Sequence, residues 1–95
     1  LWEAKRFEII VVTGRMESTR NITENWLKSN CIPFERLVMR PDKDFRPDHE
    51  IKKEILIKLK AENKDILFAV DDRQQVVNMW RNNGITCLQC DDGDF

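Results

Sequence analysis

The 95-residue sequence predicts an α/β domain, with a parallel sheet carrying helices on both faces. Three observations predict it. Two runs, FEIIVVT (residues 7–13) and DILFAV (residues 65–70), are continuous, apolar and rich in β-branched residues, the pattern of strands covered on both faces. Segments with apolar residues at helical spacing follow each of them. Strand and helix signals alternate as β-α-β-α-β-α-β, and such a chain builds parallel pairs through crossover helices.

The elements follow in order. FEIIVVT is the first strand, and Gly14 ends it. STRNITENWLKSN (residues 18–30) puts Ile22, Trp26 and Leu27 on one helical stripe, with Asn21 and Glu24 spaced as a capping box. Pro33 follows that helix, and RLVMR (residues 36–40) is a short second strand. PDKDFRPD (residues 41–48) is a polar loop with two prolines, ending on Asp48 as a helix cap. Ile51, Ile55, Leu56 and Leu59 then give the clearest helical period in the chain. DILFAV is the third strand. Asp72 caps a helix bearing Val76, Val77 and Trp80, and Gly84 takes the left-handed position at its end. ITCLQC (residues 85–90) is the last strand.

Composition narrows the class. Apolar residues make up 41% and charged residues 35%, an ordinary globular balance without a disorder signal. A formal charge of −1 excludes a generally basic nucleic-acid binder and leaves room only for a local basic patch. No apolar run approaches the roughly 20 residues that span a bilayer, and no signal-peptide pattern is present. An odd number of cysteines, three, argues against a secreted disulfide framework and for a reducing cytoplasm. CLQC (residues 87–90) has Cys-x-x-Cys spacing, but on a strand its side chains face opposite ways and no second ligand pair exists. Cys31, Cys87 and Cys90 therefore read as buried thiols. His49 reads as a solvated helix-start residue, and Trp26 and Trp80 as core rather than base-stacking residues. Arg40 and Arg46 have surface partners available in Asp42, Asp44 and Asp48. The opening LWEAKRFEIIVVTG reads as a helix tail entering a strand, so upstream sequence is expected.

The strand ends gather the chemistry. Thr13, Gly14 and Arg15 end the first strand, Arg40 the second, and Asp71, Asp72 and Arg73 the third; all are expected on one edge of the sheet. Ligands of such sheets bind at the carboxyl ends of the strands. Two carboxylates beside several cations suit Mg²⁺ together with a phosphoryl group, and a Thr-Gly turn can donate to further phosphate oxygens. The residues thus read as a phosphate-and-metal site.

VVTGR, the lysine within DHEIKKEI, AVDDRQQVVNMWR and GITCLQCDDGDF occur in that order and spacing. Together they resemble the haloacid-dehalogenase (HAD) superfamily, and more narrowly the 3′-phosphatase domain of bacteriophage-type polynucleotide kinase/phosphatases. The resemblance spans residues 9–95, and DDRxxVVxMWR is its specific part. It implies a Rossmann-like HAD fold and a Mg²⁺-dependent phosphomonoesterase acting on the 3′ end of a nucleic acid through a phospho-aspartate. Thr13 matches the phosphoryl-binding hydroxyl and Arg15 a phosphate-contacting arginine. Lys52 matches the lysine that stabilises the phosphorylated aspartate, with Lys53 as the second choice by register. Asp71 and Asp72 match the Mg²⁺-binding acidic motif. Gly14, Arg40, Asp48 and Arg73 fall among substrate-binding or supporting positions.

One departure stands out. The Asp-x-Asp-Gly-Thr motif that carries the HAD nucleophile and general acid does not precede VVTGR. DKD (residues 42–44) has no strand before it, and DGD (residues 92–94) lacks the Gly-Thr continuation, so neither replaces it. The resemblance places the missing strand centrally, between FEIIVVT and DILFAV. Residues 1–95 are therefore expected to be a C-terminal part of a longer HAD-like domain, completed by an N-terminal segment or another chain. The alternatives are an inactive phosphate-binding or interaction module, and a HAD phosphatase for a small metabolite.

Overall fold

The computed structural model describes residues 7–94, in two compact units that divide between Phe45 and Arg46. The expected helix tail at the start of the chain lies outside the described residues.

The first unit is a β-α-β turn of chain. Strand β1 (Ile10–Met16) leads through a short 3-10 turn (Glu17–Thr19) into helix α1 (Arg20–Ser29), and strand β2 (Arg36–Arg40) follows. β1 and β2 pair in parallel, with Ile10 opposite Arg36 and Thr13 opposite Met39. Gly14 does not end the strand. The register instead slips after Thr13, so that Met16 faces Arg40, a bulge in the middle of Thr-Gly-Arg. Leu27, Leu37 and Met39 form the core, with Val11 and Phe34 packed on it.

The stripe of α1 is phased differently from expectation. Thr23 and Leu27, one turn apart, are buried, whereas Ile22 is 66% and Trp26 56% exposed. A side chain one position earlier lies about 100° round the helix, which is enough to turn Trp26 from core to surface. Buried Thr23 is satisfied locally, its hydroxyl donating to the Thr19 carbonyl at 2.9 Å. The capping box is not used either, because the helix starts at Arg20 and its cap residue Thr19 makes no side-chain cap bond.

The second unit holds α2 (Asp48–Ala61), β3 (Ala69–Asp71), α3 (Gln74–Asn82) and β4 (Cys87–Gln89). β3 and β4 pair in parallel, Ala69 opposite Cys87 and Asp71 opposite Gln89. Ile51, Ile55, Leu56 and Leu59 are all buried, as their spacing predicts. Leu56 joins Val76, Val77, Met79, Trp80, Ile85 and Cys87 in the core, with Ile66 and Ala69 against it. Two expected caps are corrected. Asp48 is the first residue of α2, after Pro47, and Asp72 precedes the α3 cap residue Arg73, which makes no side-chain cap bond.

The three α-helices among the described residues end in one way. Residues with positive φ, namely Cys31, Asn63 and Gly84, stand just past the ends of α1, α2 and α3. Beyond each, the next amide reaches back to a carbonyl five residues earlier: Ile32 to Leu27, Lys64 to Leu59, Ile85 to Trp80. These are Schellman closures, and Gly84 fills its left-handed site as expected.

The long apolar runs are less covered than their composition predicts. β3 is only three residues long, and Leu67, Phe68 and Val70 are each more than half exposed. Among the described residues the strands form two two-stranded sheets, and no ladder joins β1 to β3. Each strand therefore has one hydrogen-bonded edge, and the expected double burial is not reached.

The cysteines also divide. Cys87 is buried, while Cys31 and Cys90 are exposed, and all three are free thiols. Burial, helped by the neighbouring Asp71 charge, pushes the Cys87 thiol above its ordinary value and disfavours the thiolate. A thiol reagent at mildly alkaline pH should label Cys31 and Cys90 within minutes and Cys87 only on unfolding, as mass spectrometry of peptides will show.

Candidate functional site

Each unit brings together part of the predicted set. In the first, the bulge carries Thr13, Gly14 and Arg15. The Thr13 hydroxyl accepts the Arg15 amide at 3.2 Å, a local turn that leaves the Arg15 side chain exposed. Arg40 spans two backbone segments: its Nε donates to the Gly14 carbonyl at 2.7 Å, and its Nη1 to the Asp44 carbonyl at 2.8 Å. Asp42 adds a second latch, its Oδ1 accepting the Ser18 amide at 2.8 Å. The bulge and loop 41–45 are thus tied to each other, and Arg40 works on the shape of the Thr-Gly-Arg turn. Arg46 pairs with Glu54.

The second unit holds the acidic doublet. Lys52, on the first turns of α2, is buried to 8% exposure with its Nζ between Asp48 Oδ2 at 3.4 Å and Asp71 Oδ2 at 3.1 Å. A lysine this far from water needs paired charge, and here it has two carboxylates. The neighbouring Lys53 is exposed, so Lys52 is the lysine that meets the doublet. Asp71 has a second donor in Trp80, whose indole Nε1 lies 3.5 Å from the same Oδ2. Its other oxygen accepts the Asp72 amide at 2.9 Å. Asp71 is accordingly fixed from several sides.

Asp72 differs from its neighbour. It is exposed, and among the described residues nothing hydrogen-bonds or ion-pairs with its carboxylate. Its backbone is instead well held, since the Asp72 carbonyl accepts Gln89 Nε2 at 3.1 Å. Arg73 is half-buried, and its carbonyl accepts the Val76 and Val77 amides at 3.0 and 2.9 Å, closing the first turn of α3. His49 is half-buried as well, with its Nδ1 out of contact with solvent, contrary to the expected solvated residue.

Among the described residues no three His, Cys, Asp or Glu side chains converge as an all-protein metal cage. The acidic doublet is the candidate donor set. One engaged and one open carboxylate suit Mg²⁺, which is bound by one or two carboxylates with waters and phosphate oxygens completing its shell.

Sequence reasoning missed three contributors. The helical stripe points Trp80 to packing alone, although a buried indole nitrogen calls for a partner and thereby points to a nearby acceptor. Gln89 and Gly93, both at the doublet's backbone, carry no signal that composition or periodicity would reveal.

Comparison with known proteins supplies the family. The family described as the polynucleotide kinase PNKP phosphatase domain (HAD_PNKP) matches residues 1–95. A chain in the structure of the Pnkp1/Rnl/Hen1 RNA repair complex is 35% identical, with a TM-score of 0.89 over 98% of this chain and 30% of that one. A chain in another structure of the Pnkp1/Rnl/Hen1 complex gives the same identity, TM-score and coverage of this chain, and 33% of its own length is covered. The present chain thus spans about a third of the solved chains it matches. Its parallel β-α-β units are those of a HAD fold, and the chain belongs to the polynucleotide kinase PNKP phosphatase domain family.

Proposed function

We propose that residues 1–95 form the C-terminal part of a HAD phosphatase domain that removes the terminal 3′-phosphate from a nucleic acid. The observation that carries this reading is Lys52, buried between Asp48 and Asp71, the first aspartate of the acidic doublet, in a chain of this family. A lysine held this way has its ammonium group in a fixed position, as the stabilisation of a transferring phosphoryl group requires. RNA is the first substrate to test, because the similar chains come from an RNA repair complex.

In this reading Thr13 and Arg15 hold phosphoryl oxygens, the hydroxyl and amides of the bulge as donors and the guanidinium as counter-charge. Gly14 allows close approach of the phosphate, and Arg40 keeps the bulge in shape. Lys52 faces the charge that develops in transfer, with Asp48 and Asp71 holding its ammonium group in place. Asp72, with Asp71, supplies the carboxylates for Mg²⁺, and Arg73, next in the chain, contributes to substrate binding. When bound, Mg²⁺ neutralises charge on the phosphoryl group and orients it for in-line attack.

The nucleophile is an aspartate outside these residues, on a strand supplied by an N-terminal segment or another chain. Its carboxylate takes the phosphoryl group as the bond to the 3′ oxygen breaks, and that oxygen leaves as a hydroxyl on protonation. Water then hydrolyses the acyl phosphate and releases inorganic phosphate. The open edges of β1 and β3 support such a completing strand. No helix among the described residues is long and apolar enough to cross a membrane, and the free thiols fit a cytoplasmic setting.

The full-length protein, assayed with Mg²⁺, should release phosphate from a 3′-phosphorylated RNA oligonucleotide and not from its 5′-phosphorylated counterpart. Thr13→Ala and Arg15→Ala should each lower kcat/KM by about 10²-fold. Equal turnover of small phosphate esters would shift the assignment to a metabolite phosphatase. Phosphate binding without turnover would make the chain an inert module.

A further inference from the structure

The amide ends of α3 are closed from an unexpected direction. The first amides of any helix lack partners within it, and a preceding Ser, Thr, Asp or Asn side chain usually provides one. Asp72 is the obvious candidate by sequence, yet no side chain caps this helix. The Gln74 amide donates instead to the carbonyl of Gly93, at 2.6 Å. Gly93 is buried, and it lies directly on the doublet's backbone. A Cβ at Gly93 would stand 1.8 Å from the Asp72 oxygen, 2.5 Å from the Asp72 carbonyl carbon and 2.8 Å from the Arg73 Cα. The obstacle is backbone on every side, so no side-chain movement relieves it.

Three further contacts come from the same stretch of chain. The Cys90 amide donates to the Asp71 carbonyl at 3.1 Å, and Gln89 Nε2 donates to both the Asp72 carbonyl and Gln74 Oε1, each at 3.1 Å. Residues 89–93 therefore occupy the hydrogen-bonding groups of residues 71, 72 and 74 one after another.

We infer that Gly93 is a positioning residue for the acidic doublet. Its carbonyl takes over the capping duty that the sequence offers to Asp72, and its missing side chain lets the tail lie flat on the Asp72–Arg73 peptide. The Asp72 carboxylate is thereby left uncommitted while its backbone is held in place. The DGD segment, which cannot serve as a nucleophile, has this supporting duty instead. The inference rests on the proposed role of Asp72 as a metal ligand.

The test compares Gly93→Ala with Gly84→Ala in the full-length protein. Gly84 stands at φ +81 with open space around it, so its substitution strains the fold away from the doublet. Gly93→Ala should weaken Mn²⁺ binding, followed by electron paramagnetic resonance, by about tenfold, and should speed hydrogen exchange of the Gln74 amide. Gly84→Ala should lower thermal stability and change neither. Where Gly93→Ala does not fold, Gln89→Met should show the same two changes to a smaller extent. Exchange and Mn²⁺ affinity no different from those of Gly84→Ala overturn the inference, as does faster exchange with unchanged affinity. Asp72→Asn separates the two readings: normal Mn²⁺ binding in that variant overturns the assignment of Asp72 itself, whereas the Gln74 exchange still judges the Gly93 contact.

Discussion

Asp72→Asn should abolish phosphate release, by about 10³-fold or more in kcat, and leave stability within about 0.5 kcal/mol of the parent. The two effects separate because Asp72 is exposed and nothing among the described residues pairs with its carboxylate. Its fold contribution runs through its backbone carbonyl, held by Gln89, and asparagine keeps that bond. What asparagine lacks is the charge. Initial rates at saturating substrate, set beside urea unfolding of the same preparations, measure both quantities. A variant with half its activity would remove Asp72 from the metal site, and one that unfolds early would make it a structural residue. Asp71→Asn is expected to fail on both measures, since Lys52, Trp80 and the Asp72 amide all converge on the Asp71 carboxylate.

The second large effect belongs to Lys52. Lys52→Met keeps the length of the stem and removes the ammonium group, leaving Asp48 and Asp71 as two mostly buried carboxylates without their shared cation. Breaking a buried ionic network in this way costs about 3–5 kcal/mol, far more than an exposed pair. Activity should fall with it, but the decisive measurement is the unfolding free energy. Adding Asp71→Asn to Lys52→Met removes one of the stranded charges and should restore part of the loss. The double-mutant cycle should give a coupling of about 0.5–3 kcal/mol. Additive losses would show that the lysine and the aspartate do not act on each other.

How much of this could be read beforehand varies from element to element. The period of Ile51, Ile55, Leu56 and Leu59 gave α2 its buried face, because four apolar side chains in phase leave a helix one way to pack. Gly84 was legible for a stronger reason: its left-handed backbone is nearly closed to other residues. α1 differs from its expected phase because a three-member stripe is too short to fix it, and Thr23, polar but bonded to its own helix, is buried where Trp26 is exposed. The long apolar runs have the composition of fully buried strands, whereas burial depends on what lies on either side.

The site was legible in kind and not in arrangement. Adjacent aspartates at a strand end announce a charge cluster, and the lysine at a helical spacing from Asp48 can be found by counting. That Asp71 is engaged and Asp72 open cannot be counted out. It depends on a lysine and an indole from two helices meeting one carboxylate, and on a glycine lying against the other residue's backbone.

The exposed apolar stretch before the doublet has one more consequence. Ile66 to Val70 is a short, uncharged, strand-forming segment, and Lys64, Asp65, Asp71 and Asp72 are the charges at its two ends. Charges in that position act as gatekeepers, keeping such a segment from self-association in solution. The carboxylates proposed for metal binding thus also govern colloidal behaviour. Neutralising either one should lower soluble yield at high concentration even where the folded molecule is as stable as before, and the remedy is dilution or low protein concentration rather than a stabilising substitution.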